Sequence, residues 1–247
     1  MHWFWMILGG ILAAVWLDRL RDAAFGLPGI PDLVQPQWDR VPQPAPRVSI
    51  IVPARDEEAH VKAALGSLLA LDYPDYEVIA VNDRSTDRTG ELLDRMAREN
   101  AARLRVLHVK ELPPGWLGKP HAMGLAAQQT RGDWLLFTDA DVTFRPDALR
   151  RALVCAEECR ADHLVLFPTA RMHSLSERMV FAFFPTLVVF GHRPWKVADP
   201  RTKDYVGMGA FNFIRRSVYE SLGVREALRM EVLDDMKLGK LVTPQVS

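Results

Sequence analysis

Trp134-Leu135-Leu136-Phe137-Thr138-Asp139-Ala140-Asp141-Val142 is the stretch on which the fold of this chain turns. An apolar run of strand length ends there in two carboxylates one residue apart. A buried strand in an open α/β sheet delivers its C-terminal end to the ligand crevice. Two acidic side chains at that end, with only Ala140 between them, offer an oxygen-rich site to a hard divalent cation, which would in turn hold a diphosphate. By itself an Asp-x-Asp triplet more often marks a solvated strand-to-turn junction, so the sequence around it has to decide.

Upstream the same pattern occurs twice. Val48 to Pro53 is a buried-strand run, followed by Ala54-Arg55-Asp56-Glu57-Glu58 and a helical pattern through Val61, Leu65, Leu68 and Leu69. Acidic residues at a helix start suit the macrodipole, which accounts for two of the three without any function. Tyr76 to Val81 is the next strand, closed by Asn82-Asp83-Arg84-Ser85-Thr86-Asp87-Arg88-Thr89, and Leu104 to His108 is a third. Strand and helix alternate, so a doubly wound, mostly parallel α/β sheet is the expected class. Three strand ends then deliver carboxylates to one crevice, where a metal would offset their repulsion against an anionic diphosphate.

The chain has 247 residues, enough for one sizeable α/β domain plus an appendage. Lys plus Arg and Asp plus Glu balance at 31 each, so no global field recruits nucleic acid. Cys155 and Cys159 sit four apart in a predicted helix with no further ligand for a zinc set, which favours a reduced compartment.

Trp3 to Leu17 is apolar and free of charge, near the short limit for crossing a bilayer. A signal peptide would want a basic residue before this core and a small-residue cleavage site after it. Arg19 and Arg21 instead follow it, which predicts an uncleaved anchor with the rest of the chain in the cytoplasm. The expected organisation is an anchor over residues 1–21, a proline-rich linker over 22–46 and one domain over 47–247. Trp38, within the linker, suits either the membrane interface or packing against the domain.

In the second half, Pro146 to Arg160 predicts a helix and Leu164 to Phe167 a strand. Met179 to Phe190 is apolar, too short to span comfortably, and flanked by Arg171, Arg178, Arg193 and Lys196 with Trp195. It reads as a core helix or as a helix lying in the membrane interface, and the anchor favours the second. Gly207 to Ile214 reads as a glycine turn feeding a strand, and Asp234-Asp235 as an acidic pair at a helix start.

Ile-Val-Pro-Ala-Arg-Asp-Glu-Glu, Val-Asn-Asp-Arg-Ser-Thr-Asp, Gly-Lys-Pro-His-Ala and Thr-Asp-Ala-Asp occur here in that order. As an ordered set over residues 48–240 they resemble the family 2 glycosyltransferases. These enzymes have the GT-A fold, the Rossmann-like sheet of nucleotide-diphospho-sugar transferases. Pro113 to Pro120 resembles the hopene-associated and, more distantly, the ceramide-type lipid glycosyltransferases. The resemblance implies that Ala54 and Glu57 border the uracil and ribose and that Asp83 contacts the uridine. It implies that Lys119 lies near the phosphates or donor sugar, that Asp139 orients the ribose or metal shell, and that Asp141 binds Mn²⁺ or Mg²⁺. It places Gly209, Phe211 and Asn212 on the acceptor side and Asp235 at the general base, with Asp234 beside it or merely capping the helix.

What is implied is an inverting, metal-dependent transfer from a UDP-sugar to a lipid hydroxyl at a membrane. Relatives continue with a Gln-x-x-Arg-Trp motif and further membrane helices, whereas the pattern stops after Leu241, so a truncated C-terminal part is expected. A truncated, inactive nucleotide-sugar binder is thus one alternative. A sugar-1-phosphate nucleotidyltransferase is another, although it wants a glycine-rich basic loop where Ala54 to Glu58 is acidic. A glycosidase needs paired carboxylates too, but neither metal nor nucleotide.

Overall fold

The computed structural model describes residues 2–170, 172 and 174–243. Among them the strands are β1 (Val48–Ala54), β2 (Tyr76–Asp83), β3 (Leu104–Val109), β4 (Trp134–Phe137), β5 (His163–Val165) and β6 (Asn212–Arg215). The helices are α1 (His2–Gly26), α2 (Val61–Leu69), α3 (Thr89–Glu99), α4 (Gly118–Ala127), α5 (Ala148–Glu158), α6 (Leu175–His192), α7 (Arg216–Ser221), α8 (Val224–Ala227) and α9 (Asp234–Val242). The chain divides into two compact units, Leu33–Pro168 with Gly207–Val242 as one, and the remainder, which contains α1 and α6, as the other.

The first unit is a six-stranded sheet in the order β3-β2-β1-β4-β6-β5. β1 pairs in parallel with β2 and β4, and β2 with β3, while β6 runs antiparallel to both β4 and β5. The central strands are apolar on both faces because both faces are covered. Ile50, Val52, Val78, Ala80 and Leu136 face a core completed by Leu65 and Leu68 of α2, Leu93 of α3 and Leu149 and Leu153 of α5. Ile51, Ile79, Val81, Leu135 and Phe137 face the other, completed by Met123 and Ala126 of α4, Tyr219 of α7, Val224 of α8 and Leu238 of α9. Trp134 is fully buried, stacked on Phe213 of β6 at 4.5 Å between ring centroids. From β1 the chain builds outward through β2 and β3, then returns to lay β4 on the opposite side of β1. That reversal is the switch point at which open α/β sheets bind ligands.

Two local details depart from the sequence patterns. α2 begins at Val61 with no acidic residue in its first turn, so Asp56, Glu57 and Glu58 are not there for the helix dipole. The proline-rich stretch is also more than a spacer. Trp38, only 5% exposed, packs with Val154 and Cys155 of α5, and Arg151 of α5 donates to the carbonyls of Leu33 and Gln35. Of the two roles open to Trp38, packing against the domain is the one observed.

In the second unit, α1 continues past Leu17 to Gly26, and together with the turn at Leu27–Gly29 it is long and apolar enough to cross a membrane. Its polar end is fixed by an ion pair between Asp22 and Lys196 at 2.7 Å. α6 exposes Leu175, Met179, Val180 and Phe183. Arg193 ends α6 in a left-handed conformation and holds Asp204 through two bonds. Arg171, expected to flank this segment, lies outside the described residues, as do residues 244–247.

Candidate active site

At the switch point, the C-terminal ends of β1 and β4 and the start of β6 surround a small open cleft. Its wall is formed by Pro53, Lys119, Met123, Phe137, Thr138, Gly209, Asn212, Asp234 and Asp235. Residues from five separate sequence regions meet here, because the parallel strands deliver their C-terminal ends to this edge and antiparallel β6 begins at it. Thr138, just after β4, donates to the Ala210 carbonyl at 2.8 Å and fastens the 207–211 loop to the strand end.

An ion pair lies at the cleft. Lys119, at the start of α4, places Nζ 2.5 Å from Asp139 Oδ1. Gly209 backs directly onto this pair, since a Cβ there would meet Asp139 Oδ2 at 2.6 Å and Lys119 Nζ at 3.4 Å. Burial acts to lower the Lys119 pKa, but the carboxylates of Asp234, Asp139 and Asp235 outweigh it and leave the ammonium above its ordinary value. Asp234 is 6% exposed, and burial raises its pKa against the opposing pull of Lys119. Asp235 is less buried, and its Oδ1 accepts the Met236 N–H at 2.7 Å. A Cβ on Gly207 would run into the backbone of Asp235 and Met236, so glycine is what allows this loop to lie against α9.

The acidic residues at or just after the ends of β1 and β2, among them the expected donor residues Glu57 and Asp83, divide by what already holds them. Asp56 accepts from the Thr86 N–H at 2.7 Å, and Glu58 accepts from the Arg88 N–H at 3.1 Å. Both acids thus tie the loop after β1 to the loop after β2. The Glu57 carboxylate meets only His60, at 3.2 Å, among the described residues, and is the member of the trio most available to a ligand. Ala54 is buried at the end of β1. Asp83 is buried and gripped in two bonds by Arg84, at 2.7 and 3.1 Å, a partner that sequence pattern did not assign. Gly118 packs against this pair, bringing Asp83 close to the residue that precedes Lys119.

Lys119, Gly209, Asn212, Asp234 and Asp235 therefore share the cleft wall, and Asp139 joins them through Lys119. Ala54, Glu57, Asp83 and Asp141 are not part of that wall. Phe211, expected on the acceptor side, has its ring buried in the core against Phe144 and Phe213 and does not line this cleft. Met123 and Phe137 line the cleft but gave no signal beyond helical and strand periodicity.

The pattern defining Glycosyl transferase family 2 matches residues 49–223, which include every strand of the sheet except the first residue of β1. The chain belongs to this family. Among family relatives, a β-monoglucosyldiacylglycerol synthase from Synechocystis sp. is 33% identical over 156 residues, covering 62% of this chain and 32% of that protein. A 4,4′-diaponeurosporenoate glycosyltransferase from Staphylococcus aureus is 27% identical over 202 residues, covering 80% of this chain and 52% of the other. The chain thus spans about half, or less, of the length of these curated relatives. A mannosyltransferase from Pyrobaculum calidifontis, solved with GDP-Man and Mn²⁺, shares the fold with a TM-score of 0.64 at 22% identity, over 94% of this chain and 60% of that one. Staphylococcus aureus TarS with UDP-GlcNAc shares it with a TM-score of 0.53 at 20% identity, over 80% and 53%.

The donor set of this family 2 chain suits the divalent ion its sequence implies. Asp141 is exposed, and its carboxylate has no hydrogen bond or ion pair among the described residues. Asp139 already attracts a cation, the Lys119 ammonium. No group of three or more His, Cys, Asp or Glu converges among the described residues. An ion such as Mg²⁺, held by one or two carboxylates with water and phosphate as its other ligands, needs no larger group.

Proposed function

We propose that this chain is an inverting glycosyltransferase that moves a sugar from a UDP-sugar to the hydroxyl of a lipid acceptor. The observation that carries this reading is the cleft at the switch point, where Asp234 and Asp235 share a wall with Lys119 and its partner Asp139. The lipid-glycosylating names of the two curated relatives support the acceptor class; UDP-GlcNAc in TarS supports a UDP-sugar donor, and GDP-Man in the mannosyltransferase supports a nucleotide sugar more broadly.

On this reading Ala54, Glu57 and Asp83 border the nucleoside, and the Lys119 ammonium faces the diphosphate. Asp139 and Asp141 hold Mn²⁺ or Mg²⁺, which, when bound, offsets the charge of the leaving diphosphate. Asp235 accepts the proton of the acceptor hydroxyl as that oxygen attacks the anomeric carbon. The bond from the anomeric carbon to the diphosphate oxygen breaks in the same displacement, and the configuration inverts. Asp234, with its raised pKa, is a second carboxylate beside the base. Gly209 belongs to the acceptor-facing wall.

The helix at His2–Gly29 anchors the protein, and Arg19 and Arg21 favour a cytoplasmic domain. α6, with its exposed apolar residues, lies in the membrane interface. The partners are a UDP-sugar, a lipid acceptor and the bilayer. Calorimetric titration of the detergent-solubilised chain with UDP, with and without Mn²⁺, is the first test. Metal-dependent binding is expected, followed by sugar transfer to lipid in mixed micelles. Absence of binding in both conditions would overturn the donor assignment.

A further inference from the structure

Asn212 opens β6 and lines the cleft, yet it is only 2% exposed and its Nδ2 has no hydrogen-bond partner among the described residues. Its Oδ1 lies 2.6 Å from Nε2 of His163 on β5. The β5–β6 register sets Ile214 opposite His163 and Asn212 opposite Val165, so the two side chains are diagonal neighbours on one face of the sheet. Burial pushes the His163 pKa below its ordinary value, so the ring is neutral and carries one N–H. Given to Oδ1, that N–H fixes which way round the Asn212 amide sits.

A buried amide N–H left unpaired is costly and calls for a specific explanation. The chemistry of the wall supplies one. Its carboxylates only accept hydrogen bonds when ionised, and its one ammonium is committed to Asp139. A polyol brings hydroxyl donors, which the carboxylates satisfy, and hydroxyl oxygens, which need a neutral N–H.

We propose that Asn212 Nδ2 donates to a hydroxyl oxygen of the sugar held in the cleft, and that His163 is the positioning residue that locks the amide in the donating orientation. This rests on the nucleotide-sugar reading above. It assigns Asn212 to the sugar itself, a role distinct from the acceptor-side place suggested by resemblance, and gives His163 a part that no motif carried.

The test titrates the full chain, in detergent with Mn²⁺, with UDP and then with UDP-glucose, UDP-galactose and UDP-GlcNAc. Failure of the unmodified chain to bind UDP overturns the nucleotide-sugar reading and the inference with it. Where UDP and one UDP-sugar bind, Asn212→Ala and Asn212→Asp are expected to keep UDP affinity within about twofold. Both should weaken that UDP-sugar by about tenfold, the worth of one hydrogen bond of ~1.4 kcal/mol. His163→Leu should reproduce most of the loss, and His163→Gln, whose amide N–H can still serve Oδ1, should restore much of it. UDP-sugar affinity unchanged in Asn212→Ala, as when a buried water satisfies Nδ2, overturns the inference while leaving the donor reading intact. An equal loss for UDP and UDP-sugar likewise overturns it, since the effect would then be structural.

Discussion

At the scale of single residues, the cleft sets charges against one another, and each can be removed in turn. Asp141→Ala is expected to abolish the metal-dependent part of UDP binding in calorimetry, and undiminished binding would remove Asp141 from the metal site. Asp235→Asn should bind UDP normally and lose turnover by about 10²–10⁴-fold, the usual worth of a general base. Asp234→Asn probes a different property. The folded-state pKa of Asp234 lies above its unfolded value of 3.8, so the folded chain binds more protons and loses stability as pH rises through that interval. The variant should therefore melt higher than the parent at pH 7, with the advantage fading as pH falls toward 3.8; an advantage constant with pH would refute this. The positions of Asp139 and Asp141 just past β4 were legible because a strand end punctuates an apolar pattern, and that of Asp235 because an acidic pair opens a helix. The Asp83–Arg84 grip and the His163–Asn212 bond were not, since one depends on a left-handed turn at Arg84 and the other on strands 49 residues apart in sequence.

At the scale of elements, the alternation of apolar runs with helical spacing disclosed β1 to β4, α2 and α5 to within a few residues. It failed where the local pattern had two solutions. Asp56 to Glu58 precede a helical pattern, but their side chains and backbone are used to bind the neighbouring loop. Prolines between Pro28 and Pro46 exclude regular structure without saying what the segment touches, and only the burial of Trp38 on α5 shows that it is a strap. Trp38→Ala should accordingly destabilise the domain by about 3–5 kcal/mol, read from chemical denaturation, while Val34→Ala, at an exposed position of the same strap, changes little. Gly207 works at this scale too. Gly207→Ala forces the loop away from the start of α9, and turnover should fall while UDP binding remains.

At the scale of the whole molecule, the chain joins a sheet-bearing unit to one dominated by two apolar helices. Residues 2–29 fused to a soluble reporter are expected to co-sediment with membranes after alkaline washing; recovery in the supernatant would exclude an anchor. The sheet order has a further consequence, in time rather than in space. β1 to β4 are complete in sequence before α6 begins, whereas β6, which must pair with β4, follows α6. A chain emerging from the ribosome can therefore pair its four parallel strands, and with them fix Asp83, Lys119 and Asp139, while the Gly207 to Asp235 wall is still unmade. The pairing of β6 with β4 is the long-range, slow closure. A nascent chain halted before it would already hold the Lys119–Asp139 pair but would lack Asp235, and on the proposed reading it would have nothing to take a proton from an incoming hydroxyl.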